Sequence, residues 1–202
     1  MNVLIIGGSS GLGREIGVQL KERGYTVHAT GRRELDITSD LNDVRHALDN
    51  MVNKIPTVDL LVYAAGFAEN GHIEDLSDEH ISQIVNVGIA APALLLQRII
   101  RKQKILPGFI AITSTSQWIP REKEPIYTAT KAGLAMLAQS ISLDSNIKKV
   151  LVVGPAVMNT NFWAGTGRDA SSLLSPQWVA KKILELWDED YAYRLARILR
   201  DP

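Results

Sequence analysis

Two side chains able to handle a proton together stand in Tyr127-Thr128-Ala129-Thr130-Lys131, a phenol and an ammonium four residues apart. On a helix that spacing stacks them on one face, so both can serve one site. A free phenol, with a pKa of about 10, exchanges protons poorly near neutrality. A neighbouring cation favours the phenolate, and each unit of downward shift corresponds to about 1.4 kcal/mol. The spacing alone also suits a surface tyrosine beside a snorkelling lysine. Ser114 weighs against that. It follows the apolar run Phe109-Ile110-Ala111-Ile112-Thr113, which predicts a buried strand delivering the serine hydroxyl at its carboxyl end.

A second constellation lies near the N-terminus. Gly7-Gly8-Ser9-Ser10-Gly11-Leu12-Gly13 joins the apolar run Val3-Leu4-Ile5-Ile6 to an amphipathic segment beginning Arg14-Glu15-Ile16. Unpaired backbone N–H groups at a helix N-terminus sit at the positive end of its dipole, and glycines let a phosphate approach them. The same spacing also suits a tight strand-to-helix turn without a ligand. Its position, after the first strand of an alternating pattern and at the carboxyl edge where open α/β sheets bind ligands, favours a dinucleotide pyrophosphate. At the end of the second strand the chain reads Ala29-Thr30-Gly31-Arg32-Arg33, with no carboxylate to accept the ribose hydroxyls of NAD. Two guanidiniums there suit the 2′-phosphate of NADP, so NADP(H) is the expected cofactor and NAD(H) the alternative; a solvated basic turn is the plainer reading.

The elements that must carry these groups alternate. Strands are predicted near Asn2–Ile6, Tyr25–Thr30, Glu34–Ile37, Val58–Ala64, Gly108–Thr113 and Val150–Val153, with a last one near Tyr191–Leu199. Helical periodicity runs near Gly11–Arg23, Asp40–Asn53, Ser77–Lys104, Pro125–Asn146 and Pro176–Asp188, with Ser39 or Asp40, Ser77 and Ser175 at cap positions. Pro92 falls inside the longest segment and predicts one bent helix. This order implies an α/β doubly wound fold, with a mainly parallel sheet of about seven strands and helices on both faces. No repeat, low-complexity tract or linker interrupts it, so residues 1–202 read as a single domain.

Composition sets outer limits. With 22 basic and 22 acidic residues the chain has no net charge, which gives no support to nucleic-acid binding. The absence of cysteine removes thiolate nucleophiles and cysteine-ligated metals and mildly favours a cytoplasmic location. His28, His46, His72 and His80 are scattered without metal spacing, so no metal is expected. Val3–Ile6 is too short for a signal segment, and no stretch is read as the roughly 20 apolar residues of a membrane span.

Taken jointly, these motifs resemble the short-chain dehydrogenase/reductase family, of the compact Rossmann type, across nearly the whole chain. Gly7, Gly11 and Gly13 match its glycine motif, and Asp36-Ile37 resembles its adenine-contacting pair. Tyr63-Ala64-Ala65-Gly66 stands where the family usually has Asn-Asn-Ala-Gly, and Asn86 in Val85-Asn86-Val87-Gly88 matches its catalytic asparagine. Ser114, Tyr127 and Lys131 fall at its catalytic serine, tyrosine and lysine, and Pro155-Ala156-Val157-Met158-Asn159-Thr160 resembles its cofactor segment. The resemblance implies Tyr127 as general acid or base and Ser114 as the group that polarises the substrate oxygen. It implies Lys131 on the phenol and the nicotinamide ribose, Asn86 on a proton-relay water and Thr160 on the carboxamide.

The departures are Tyr63 and Ala64 for two asparagines, Ile6 for a threonine and Ala156 for a glycine, all in supporting positions. The short spacing between the second and third predicted strands, and the end of the chain soon after Leu199, suggest a trimmed version with part of one sheet face bare. The resemblance also places a substrate lid over Asn161–Arg168. There Phe162 and Trp163, with Trp118, suggest a mainly apolar pocket unless these aromatics pack in the core or at an interface.

The activity implied is hydride exchange between a nicotinamide and a small carbonyl or alcohol substrate, in a homodimer or homotetramer without nucleic-acid or membrane partners. The alternative is a cofactor-binding sensor or scaffold with weak or no turnover. Chain length and glycine spacing disfavour a sugar-nucleotide epimerase.

Overall fold

The computed structural model describes residues 1–160, 162 and 173–200. Its centre is a six-stranded parallel sheet of order β2-β1-β3-β4-β5-β6. The strands are β1 (Asn2–Ile6), β2 (Thr26–Thr30), β3 (Leu60–Tyr63), β4 (Leu106–Ile112), β5 (Ile147–Pro155) and β6 (Tyr193–Ile198). β1 and β3 to β5 are buried almost throughout, as their Val, Ile and Leu runs require of strands covered on both faces. Side chains alternate between two cores. Leu4, Leu61, Phe109 and Val152 face α2 (Leu41–Lys54), α4 (Ala91–Gln103) and α5 (Pro125–Ile141). Val3, Val62, Ile110 and Val153 face α1 (Gly11–Glu22) and α6 (Pro176–Asp188).

The helix starts are fixed by the expected side chains. Asp40 accepts from the Asn42 N–H, Ser77 from His80 and Ser175 from Trp178.

Two features differ from the sequence expectations, the third strand and the apolar length of the longest helix. Residues 34–37 form no strand, so the sheet has six strands with β2 at its edge. Leu35 and Ile37 are buried and the residues between and before them exposed, which imitates a half-buried strand. Their backbone is satisfied locally: the Glu34 and Leu35 N–H groups return to the Gly31 carbonyl, and the Asp36 carboxylate takes the Thr38 N–H.

The bent helix expected over Ser77–Lys104 is α3 (Asp78–Val85), a π turn at Asn86–Ala90, and α4. The widened turn sits directly before Pro92, which cannot donate a backbone hydrogen bond. By length and composition this continuous stretch, Asp78–Gln103, could cross a membrane, contrary to the sequence reading. Its apolar stripe of Ile84, Val87, Leu95 and Ile99 is buried within the fold.

Candidate active site

The turn between β1 and α1 is built by glycine. Gly7 has φ 82°, and a Cβ there would lie 2.6 Å from the Ala65 nitrogen. A Cβ on Gly13 would lie 2.2 Å from the Gly7 carbonyl oxygen. The backbone therefore folds tightly against the end of β3, with Gly7 and Gly8 N–H groups both donating to Thr30. At the start of α1, Ser10 makes no side-chain cap and no acidic residue occupies the first turn. The N–H groups and dipole of that turn are left to an anion. This arrangement fits a pyrophosphate.

Above the turn opens a cleft of about 410 Å³ along the carboxyl ends of the strands. Gly7, Ser9, Ser10, Gly11, Leu12 and Gly13 line it, as do Ala64, Ala65 and Gly66 after β3. Pro155, Val157 and Thr160 after β5 complete that wall. Arg32, Asp36 and Ile37 line it at the β2 end, whereas Arg33, expected beside Arg32, is exposed and outside the cleft. The turn after Gly31 sends adjacent side chains different ways, so only one guanidinium faces inward. That of Arg32 lies 5.6 Å over the Phe67 ring.

Sequence reading missed Glu34. Its carboxylate folds back to accept the Gly31 N–H at 2.9 Å, which returns an acid to the end of β2 three residues beyond where one was sought. The signal that could have found it is the glycine at 31, which allows the return. Asp36 is held below the usual carboxylate range, chiefly by hydrogen bonding from the Thr38 hydroxyl and then by its N–H and the Arg32 charge.

At the other end of the cleft stand Ser114, Tyr127 and Lys131. Ser114 follows β4 in extended conformation; its Oγ is 3.2 Å from Ser116 Oγ and accepts the Ser116 N–H. Tyr127 and Lys131 are buried on one face of α5. Lys131 Nζ donates to the Ile112 carbonyl at 3.2 Å and lies 5.5 Å from the Tyr127 ring centroid. Burial pulls the ammonium pKa down to about 8. The Phe162 ring, 6.0 Å from that of Tyr127, closes this side.

Besides Arg33, two expected site residues lie elsewhere, and one is outside the described residues. Asn86 does not line the cleft: its amide donates to the Ser39 carbonyl at 2.8 Å, tying the π turn to the loop before α2, and Val87 lines the cleft instead. Trp118 also stands off the cleft, packed where a Cβ on Gly154 would meet its ring at 2.4 Å. The small residue in β5 draws the indole onto the sheet. Trp163 and the rest of the lid, apart from Phe162, fall outside the described residues. Tyr63, noted only as a departure, is wholly buried and its hydroxyl donates to the Val87 carbonyl at 2.5 Å. Among the described residues no cluster of three or more His, Asp or Glu could hold a metal ion.

Comparison with known proteins agrees with this fold. A family model described as short chain dehydrogenase matches residues 33–171. An L-xylulose reductase of Caenorhabditis elegans is 26% identical over 189 residues, covering 83% of this chain and 74% of that protein. A benzil reductase ((S)-benzoin forming) of Bacillus cereus is 26% identical, covering 93% of this chain and 94% of that one. Some relatives are longer: the match covers 64% of an uncharacterized oxidoreductase of Thermotoga maritima. Among solved structures, a short chain dehydrogenase of Burkholderia cenocepacia in complex with NADP shares the fold at TM-score 0.80 and 21% identity, over 97% of this chain and 95% of that one. A 4-hydroxyisoleucine dehydrogenase complexed with NADH does so at TM-score 0.80 and 19% identity, over 99% and 96%.

Proposed function

The chain belongs to the short chain dehydrogenase family and is an NAD(P)-dependent oxidoreductase; we propose that it interconverts a small carbonyl compound and its alcohol, with Tyr127 as general acid or base and NADP(H) as the preferred cofactor. The observation that carries this reading is the one cleft lined by Gly7, Gly11 and Gly13 at one end and Ser114, Tyr127 and Lys131 at the other.

In this reading the first turn of α1 holds the pyrophosphate, Arg32 meets the 2′-phosphate, and Pro155, Val157 and Thr160 flank the nicotinamide end. The dinucleotide supplies or accepts the hydride. Ser114 turns its hydroxyl from Ser116 to donate to the substrate oxygen, while its own oxygen keeps the Ser116 N–H. Tyr127 gives its proton to that oxygen in reduction and takes it in oxidation. Lys131, with a pKa near 8, is charged at pH 7 and favours the phenolate, so the phenol can act close to neutrality. Phe162 and the buried wall around Tyr127 keep water from the exchange. Asn86 acts from a distance, by anchoring the π turn to Ser39.

The test is NADPH oxidation and NADP reduction over a panel of aldehydes, ketones and alcohols, with Tyr127→Phe beside the parent. The variant is expected to lose about 100-fold or more in kcat/KM, while its calorimetric affinity for NADPH stays within a few-fold. Turnover that survives in Tyr127→Phe overturns the assigned acid. A parent that binds NADPH and turns over nothing is a binding protein of this fold.

A further inference from the structure

On the sheet face that carries α5, beyond the cleft, Trp118 and Arg197 form a stacked pair. Arg197 is exposed near the end of β6, and its guanidinium carbon lies 4.1 Å from the Trp118 ring centroid. The indole rests on Gly154, the register partner of Arg197 in β5. The point a Gly154 Cβ would occupy is 2.8 Å from the indole Cη2 and 3.0 Å from the Ser114 carbonyl oxygen. The indole therefore bridges the backbone of the serine to the guanidinium.

Other arginines held in place by the fold are neutralised. Arg194, on the same strand, pairs with Glu189, Arg23 with Asp188 and Arg98 with Asp49. Arg197 has no ion pair or hydrogen bond among the described residues. A π face fixes its position without consuming its in-plane N–H donors, and those donors match a carboxylate bidentately. Burying a counterion there is unnecessary, because the group is open to solvent.

We propose that Trp118 and Arg197 form a subsite for a carboxylate on the substrate, across the indole from the Ser114 backbone and at the margin of the cleft that Ser114 lines. The preferred substrates are thus oxo acids or hydroxy acids with the two groups well separated, rather than neutral carbonyl compounds. This rests on the oxidoreductase reading above, and Arg197 acts on specificity without touching the reacting atoms.

The probes are 4-acetylbenzoate and its methyl ester, which share a carbonyl and differ in charge. Calorimetry on the NADP-saturated protein is expected to show the acid binding about ten-fold or more tighter than the ester, as a charged hydrogen-bonded pair allows. Arg197→Gln removes that difference, Arg197→Lys restores part of it, and binding of the ester stays within two-fold throughout. Where NADPH oxidation is measurable, KM for the acid rises and kcat holds. Equal binding of acid and ester by the parent, or an Arg197→Gln protein that retains the preference, overturns the subsite. Arg197-dependent binding without turnover of any carbonyl leaves the subsite standing and overturns the oxidoreductase reading instead.

Discussion

The Tyr63 hydroxyl donates to the Val87 carbonyl because no backbone N–H can. In the π turn at Asn86–Ala90 the Ala91 N–H is committed to Asn86. The N–H that Val87 would use five residues on belongs to position 92, which is proline. Tyr63, at the end of β3 and wholly buried, supplies the missing donor at 2.5 Å. The tyrosine that stands where the family usually has an asparagine thus ties the sheet to the π turn. Tyr63→Phe keeps the ring and strands the carbonyl, at an expected cost of about 1–3 kcal/mol in urea unfolding. A loss below about 0.5 kcal/mol, the scale of a neutral surface change, means that another donor serves Val87.

The residues that sequence pattern places well are those whose surroundings are local or symmetric. Val3-Leu4-Ile5-Ile6 and Phe109-Ile110-Ala111-Ile112 announce strands because both faces are covered. The glycine turn announces itself because tight contacts exclude every side chain at positions 7 and 13. Tyr127 and Lys131 fall together because one helix carries both. Where the pattern misleads, the deciding partner is distant in sequence. Leu35 and Ile37 alternate like a strand, yet turn hydrogen bonds satisfy the backbone around them. Asn86 spends its amide on Ser39, 47 residues away. Trp118 is held by Gly154 and Arg197, neither of which the chain order brings to notice.

Glu34 and Arg32 oppose each other at the end of β2. The Glu34 carboxylate is held on the Gly31 N–H and the Arg32 guanidinium lines the cleft; in the proposed reading the first repels a 2′-phosphate and the second attracts one. Glu34→Gln is expected to raise the ratio of kcat/KM for NADPH over NADH by about ten-fold, and Arg32→Ala to lower it by at least as much, as loss of one charge-assisted contact implies. If Arg32→Ala weakens both cofactors equally, the guanidinium holds a group they share and the preference for NADP has another origin.

Lys131 makes stability depend on alkaline pH. Its pKa near 8 in the fold lies below the ordinary 10.5, so the unfolded chain binds the proton more tightly. The cost of burying the ammonium is full below pH 8 and is relieved as pH rises from 8 toward 10.5. Relative to Lys131→Met, the apo protein should therefore gain stability over that window, by roughly 3 kcal/mol at its end. Urea unfolding of both proteins at pH 7, 8, 9 and 10 measures this. Parallel curves across the range mean that Lys131 titrates outside it.

Gly13 gives the sharpest test of the cradle, because local propensity and tertiary contact predict opposite signs. In an exposed helix, glycine to alanine stabilises by about 1 kcal/mol. Here the added Cβ would stand 2.2 Å from the Gly7 carbonyl oxygen and 3.1 Å from the Ala64 side chain, so backbone must move on one side of the turn. The displaced segment is the one whose N–H groups face the cleft. Gly13→Ala is therefore expected to lower the melting temperature and to weaken NADPH binding by about 100-fold, the loss of two good charge-assisted hydrogen bonds. A variant that melts higher than the parent and still binds NADPH shows that the turn has room, and that the cofactor is held by something other than this bend.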